Sequence, residues 1–212
     1  MKLSEQAWEQ SENIYQAIIQ HPFNQELIQG TLPKKKLGHY IEQDSIYLTS
    51  LAHAFAKIAA LSQNAKDIKQ FSKFALDSIV IGEEIVNKFI QSELNLEITG
   101  NITNATSNYV KYLADMSTDQ PIEVVVAAIL PALWIYREVA LHIAEKANTD
   151  NPFSLWIETY SGLEFSHDVE YVIEVFDSFA EQGAETTKSR MLDAFYKAAS
   201  LEKEFLDDIY NL

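Results

Sequence analysis

The chain has 212 residues, 31 acidic against 16 basic, a formal net charge of −15 and no cysteine. That length can bury roughly 70% of the surface its unfolded form exposes, so a single domain over residues 1–212 is expected. The charge repels phosphate backbones and anionic lipid, which excludes nucleic acid as a partner, and the missing cysteines exclude disulfides, thiolate metal sites and a thiol nucleophile.

Helical periodicity dominates, and 6 Gly and 5 Pro leave the chain sparsely punctuated, so an all-α protein of long helices is expected. A first helix runs from about Ser4, as its N-cap, to about Ile19. HPFNQELIQGTLP, at 21–33, is a partly structured connection ending in Pro33. The second helix takes residues 34 to about 61 and the third about 64 to 93. Leu94 to Thr106, with Gly100 and the sequons at Asn101 and Asn104, reads as a loop. A fourth helix spans about 107–116 and a fifth 121–147, with Pro121 in its first turn and Pro131 bending its middle. Asn151-Pro152 opens a short helix ending near Tyr160, Ser161-Gly162 breaks it, and the last two helices cover about 163–182 and 185–210. The longest apolar run, Val124 to Tyr136, falls short of the ~20 residues of a spanning helix. The N-terminus turns polar too early for a secretory signal, so a soluble cytoplasmic protein that binds no membrane is expected.

Helical bundles build sites from polar side chains that face inward. Tyr40, Asp44, Tyr47 and Leu51 are spaced four, three and four, so they share the core-facing stripe of the second helix. An aspartate there needs a partner, either a structural one on a neighbouring helix or a ligand amine. Ala128, Ala132 and Tyr136 follow one another at i, i+4 on the fifth helix, which suits either close helix packing or a groove ending in a phenol. Tyr109, Tyr112 and Tyr160 can pack as core or present hydroxyls to a cavity. Ala198, Glu202, Phe205 and Ile209 form the apolar stripe of the last helix, where Glu202 is either a structural carboxylate or one suited to proton transfer. No ligand set for a metal closes: Glu83 is followed by Asn87 rather than histidine, Glu138 and His142 are four apart, and His167 and Asp168 lie on different faces. His21, His39 and His53 read as capping or surface residues. Phosphate loops, nucleophile elbows and zinc motifs are absent from the sequence.

The order of these motifs resembles the TenA family of thiamin-pyrimidine salvage enzymes, also called thiaminase II. The likeness runs from Trp8 to Phe205 through HPFNQELIQGTLP at 21–33, YIEQDSIYL at 40–48, LPALWIYREV at 130–139, WIETYSG at 156–162 and EKEF at 202–205. It implies a heme-oxygenase-like helical bundle without cofactor, assembled as a homo-oligomer, tetramer or dimer. The implied reaction hydrolyses 4-amino-5-aminomethyl-2-methylpyrimidine to the hydroxymethyl compound and ammonia. The resemblance assigns Asp44 to the amino edge of the pyrimidine, Tyr47 to a place against the nucleophile, Tyr109, Tyr136 and Tyr160 to the pocket wall, and Glu202 to proton exchange with the ring. Ala132 stands where the better-studied branch has a cysteine, as in a second branch that relies on carboxylates. The resemblance therefore implies carboxylate acid/base hydrolysis; a noncatalytic pyrimidine- or thiamin-binding protein and a metal-dependent oxygenase on the same bundle are the competing readings.

Overall fold

The computed structural model of the chain describes residues 1–84 and 94–211, apart from the side chains of Glu83, Glu84 and Thr159. The end of the expected third helix, residues 85–93 with Asn87, lies outside the described residues. The described residues form helices and no strand, and they group into two compact units: Met1–Leu32 with Val126–Leu206, and Pro33–Val125 with Asp207–Leu212.

The second of these is a continuous stretch of chain plus the last turn. Its helices are α3 (Lys34–Leu61), α4 (Ala65–Glu84) and α5 (Asn104–Asp119). α4 turns back after a short connection, and Asn64 caps it by accepting the Asp67 N–H at 2.8 Å. Phe55, Phe71 and Phe74 pack together with centroids 5.3–6.2 Å apart, and Leu37, Ile41, Ile58 and Leu113 complete the buried face. α4 packs against α3 at Gly82, where a β-carbon would make an ordinary contact with Leu48 at 3.7 Å.

The other unit is discontinuous. It contains α1 (Leu3–Ile19), α2 (Pro22–Gln29), most of α6 (Ile122–Lys146), α7 (Ser154–Ser161), α8 (Leu163–Gln182) and most of α9 (Glu185–Tyr210). α6 has the length and composition to cross a membrane, yet the nine positions from Val124 to Ala132 are buried inside the protein. Its helix continues through Pro131.

α2 differs from the partly structured connection expected there: it is a complete two-turn helix. His21 caps it, as its expected role required, with Nδ1 accepting the Phe23 N–H at 3.1 Å. Gly30 ends it in the left-handed conformation, φ 69°, with a β-carbon position only 2.9 Å from Pro152. Asn151 holds the same exit by donating to the Leu27 carbonyl at 2.8 Å and the Ile28 carbonyl at 3.2 Å.

α1 begins at Leu3, one residue before the expected cap, because its first turn is capped from far along the chain. Asp177 of α8 accepts the Ser4 N–H at 3.0 Å and the Ser4 hydroxyl at 2.8 Å, and Lys2 lies 3.4 Å from the same carboxylate. A buried negative charge at a helix N-terminus satisfies orphan amides and complements the helix dipole. Asp177→Ala is expected to destabilise the protein by about 2–4 kcal/mol, since it removes charge-assisted hydrogen bonds and leaves a buried amide unsatisfied. A urea titration with unchanged slope and a lowered midpoint checks this.

α5 starts at Asn104 rather than near 107, and ends at Asp119 rather than 116. Thr103 is its N-cap, accepting the Thr106 N–H at 3.2 Å, and Asp208 accepts the Ala105 N–H at 2.9 Å.

Candidate active site

The residues singled out from the sequence fall into two groups, one in each unit. On α3 the stripe of Tyr40, Asp44, Tyr47 and Leu51 is buried throughout, as the spacing predicts, and Asp44 is only 8% exposed. Ionised, so buried a carboxylate demands donors. α5 lies against α3 and brings Tyr109, 1% exposed, to Tyr47 with ring centroids 4.5 Å apart at 44°. This group offers one acidic acceptor and two phenols on packed helices, which holds their geometry closely.

The other group comes from α6, α7, α8 and α9. Ala128 and Ala132 are buried on one face of α6, and Tyr136 follows one turn on, half-buried. From α7, Tyr160 meets Tyr136 edge-on at 5.3 Å, and Trp156, one turn earlier, lies 5.0 Å from Tyr160 and 6.3 Å from Tyr136. Phe165 of α8 meets Tyr160 edge-on at 6.1 Å and 84°. The result is an aromatic wall. Glu202 of α9, 8% exposed, sits on the stripe with Ala198, Phe205 and Ile209, while Glu204 is exposed.

Burial pushes the Tyr136 phenol well above the ordinary tyrosine range, and Tyr160 and the Glu202 carboxylate push it further the same way. Tyr136 is therefore a hydrogen-bond donor across the neutral range, within electrostatic reach of Glu202. Burial also raises Tyr112, and burial with the Glu138 charge raises Tyr15. A phenol whose folded pKa is raised holds its proton more tightly in the folded state. Its contribution to stability is complete below the unfolded value, about 10, and is lost as pH rises above it. Urea midpoints between pH 8 and 11.5 are expected to fall less steeply for Tyr136→Phe than for the wild type.

Trp156 and Phe165 escaped the sequence reading. Trp156 had a signal, since it precedes Tyr160 by four residues and so shares its helical face. His39 is partly exposed and His53 exposed, in line with a surface role. Among the described residues, no three His, Asp or Glu side chains converge to hold a metal ion.

The TENA/THI-4/PQQC family model matches residues 8–212. The chain belongs to the TENA/THI-4/PQQC family. Among relatives of this family member, the thiamine biosynthesis multifunctional protein ThiED of Corynebacterium glutamicum is 27% identical over 200 residues, 94% of this chain. The match spans only 26% of that relative's length. The aminopyrimidine aminohydrolase of Halalkalibacterium halodurans is 25% identical over 216 residues, covering 100% of this chain and 96% of that protein. In structure, the TENA/THI-4/PQQC chain is similar to a TenA homologue from P. horikoshii OT3, with a TM-score of 0.89 at 24% identity over 100% of this chain and 99% of the other. It is also similar to a domain from Shewanella denitrificans OS217 described as having a heme oxygenase-like fold, with a TM-score of 0.71 at 14% identity over 99% and 90%. The fold is thus all-α and heme-oxygenase-like, as the sequence resemblance implied.

Proposed function

We propose that the protein is a hydrolase of thiamin-derived aminopyrimidines. In the reaction 4-amino-5-aminomethyl-2-methylpyrimidine and water give the 5-hydroxymethyl compound and ammonia. The exocyclic carbon–nitrogen bond breaks, a carbon–oxygen bond forms to water, and the departing nitrogen keeps the proton that water releases. The names of full-length relatives support this class of reaction.

The observation that carries the reading is the buried Glu202 carboxyl group, in the unit that also holds the edge-on and tilted rings of Tyr136, Trp156 and Tyr160. A carboxyl group in apolar surroundings is suited to exchanging a proton with a ring nitrogen at neutral pH. Aromatic faces and edges suit a flat heterocycle. Within its own unit Asp44 is the acceptor suited to a pyrimidine amino group, beside Tyr47 and Tyr109; within the other, Tyr136 and Tyr160 accompany Glu202 as hydroxyl donors and aromatic packing surfaces. Ala132 has no nucleophilic atom, so water is the nucleophile, either on the ring or on the exocyclic carbon after the amine has left.

Mass spectrometry of products decides the matter, with the aminomethyl compound, its N-formyl derivative and thiamin offered in parallel. Release of hydroxymethylpyrimidine and ammonia is expected. Binding of pyrimidines without turnover would replace the enzyme by a carrier, and activity that depends on bound iron or manganese would replace it by an oxygenase.

A further inference from the structure

YIEQDSIYL contains three consecutive buried polar residues, Glu42, Gln43 and Asp44, and the reading above uses only the last. Successive helical residues point 100° apart, so Glu42 and Gln43 face elsewhere. Both reach the loop before α5. The Glu42 carboxylate, 4% exposed, accepts the Gly100 N–H at 2.6 Å and the Thr99 hydroxyl, which lies 3.0 and 3.1 Å from its two oxygens. The Gln43 amide, 1% exposed, is used at both ends: Nε2 donates to the Asn101 carbonyl at 2.7 Å and Oε1 accepts the Thr103 N–H at 3.0 Å. Gly100 adopts φ 70° in this clamp, and Gly38, one turn before Glu42, lies so close to Leu96 that its β-carbon position is 2.5 Å from Leu96 Cδ1.

Thr103 is the N-cap of α5, and Gln43 holds its backbone N–H. Tyr47 lies one turn beyond Gln43 on α3, and Tyr109 lies six residues beyond Thr103 on α5. The clamp and the Tyr47–Tyr109 ring contact are thus two fastenings between the same pair of helices. A slip of one residue at the clamp would rotate Tyr109 by about 100° and shift it by about 1.5 Å, which takes the ring off Tyr47.

We propose that Glu42 and Gln43 are positioning residues that set the start of α5 and thereby aim Tyr109 at Tyr47 and at the substrate. The inference rests on the proposed function only in taking those two tyrosines to face the substrate.

Two readouts test it. In ligand-free protein, hydrogen exchange over residues 99–109 is expected to quicken at least about tenfold in Gln43→Met, which keeps the shape and loses both hydrogen bonds; unchanged exchange overturns the proposal. With substrate, KM is expected to rise about tenfold in the same variant while kcat changes less; a pure kcat loss overturns it. Gln43→Glu supplies a signature that a merely structural role lacks. A neutral carboxylic acid again offers one donor and one acceptor, so the ratio of its kcat/KM to that of the wild type should recover between pH 8 and pH 5. A flat ratio counts against the proposal. Thr99 is exposed, so Thr99→Val retains the fold and is expected to raise KM about threefold; no change overturns the role of Glu42. If the wild type turns over no pyrimidine, the functional reading falls, and the exchange experiment still decides whether the clamp sets α5.

Discussion

Glu202→Gln is expected to lower kcat for ammonia release by about 10²–10⁴-fold, the usual contribution of a positioned acid or base. The amide has the shape of the carboxyl group, stays on the same stripe with Ala198, Phe205 and Ile209, and makes hydrogen bonds. What it cannot do is exchange a proton with the ring. KM should therefore move little, since an interaction made in the transition state is lost while ground-state packing remains. Removing the charge also removes one of the three influences that raise Tyr136, so the most resistant tyrosines should ionise at slightly lower pH, visible in the ultraviolet tyrosinate band. Circular dichroism and the urea midpoint report whether the fold is intact. A folded variant that keeps more than about a tenth of wild-type kcat would remove Glu202 from the chemistry.

Ala132→Cys is expected to confer thiamin cleavage and to raise aminopyrimidine turnover by about a hundredfold or more, because a thiolate splits one difficult displacement into two easier steps. The position is 8% exposed on a face with Ala128, so the added sulfur is expected to cost about 1–3 kcal/mol of stability at most, which the urea midpoint reads. The free thiol has an ordinary pKa of about 8.5, so the gain should grow between pH 7 and 9. Alkylation by a small haloacetamide should block it, and pyrimidine ligands should slow the alkylation. A folded variant whose thiol is alkylated without protection by pyrimidines would show that Ala132 does not face the substrate.

The parts of the molecule that were legible in the sequence are those governed by spacing. Asp44 among Tyr40, Tyr47 and Leu51, and Glu202 among Ala198, Phe205 and Ile209, are buried because i, i+3 and i, i+4 neighbours share a face whatever the rest of the chain does. Exposed Glu204 follows from the same geometry. Helix starts were legible only where the cap is local, as with His21. α5 also has a local cap, Thr103, which the expected loop passed over; Asp177 at α1, and Gln43 and Asp208 at α5, add acceptors from other helices. Such partners leave no local pattern. The roles given to Asp44, Tyr47, Tyr109, Tyr136, Tyr160 and Glu202 came from resemblance, and spacing alone left structural alternatives open for each.

Asn151 has a consequence for how the protein is made. The Leu27 carbonyl it satisfies lies 124 residues upstream, so at about 5–20 residues per second a ribosome needs about 6–25 s to deliver the partner. For most of that interval, from Leu32 to Val126, the segment Met1–Leu32 has been synthesised while the remainder of its unit, Val126–Leu206, has not. The intervening stretch can fold meanwhile, but the first two helices must wait with their apolar sides uncovered. Nascent chains of this protein are therefore natural clients for a chaperone at the tunnel exit, and slow translation lengthens their exposure.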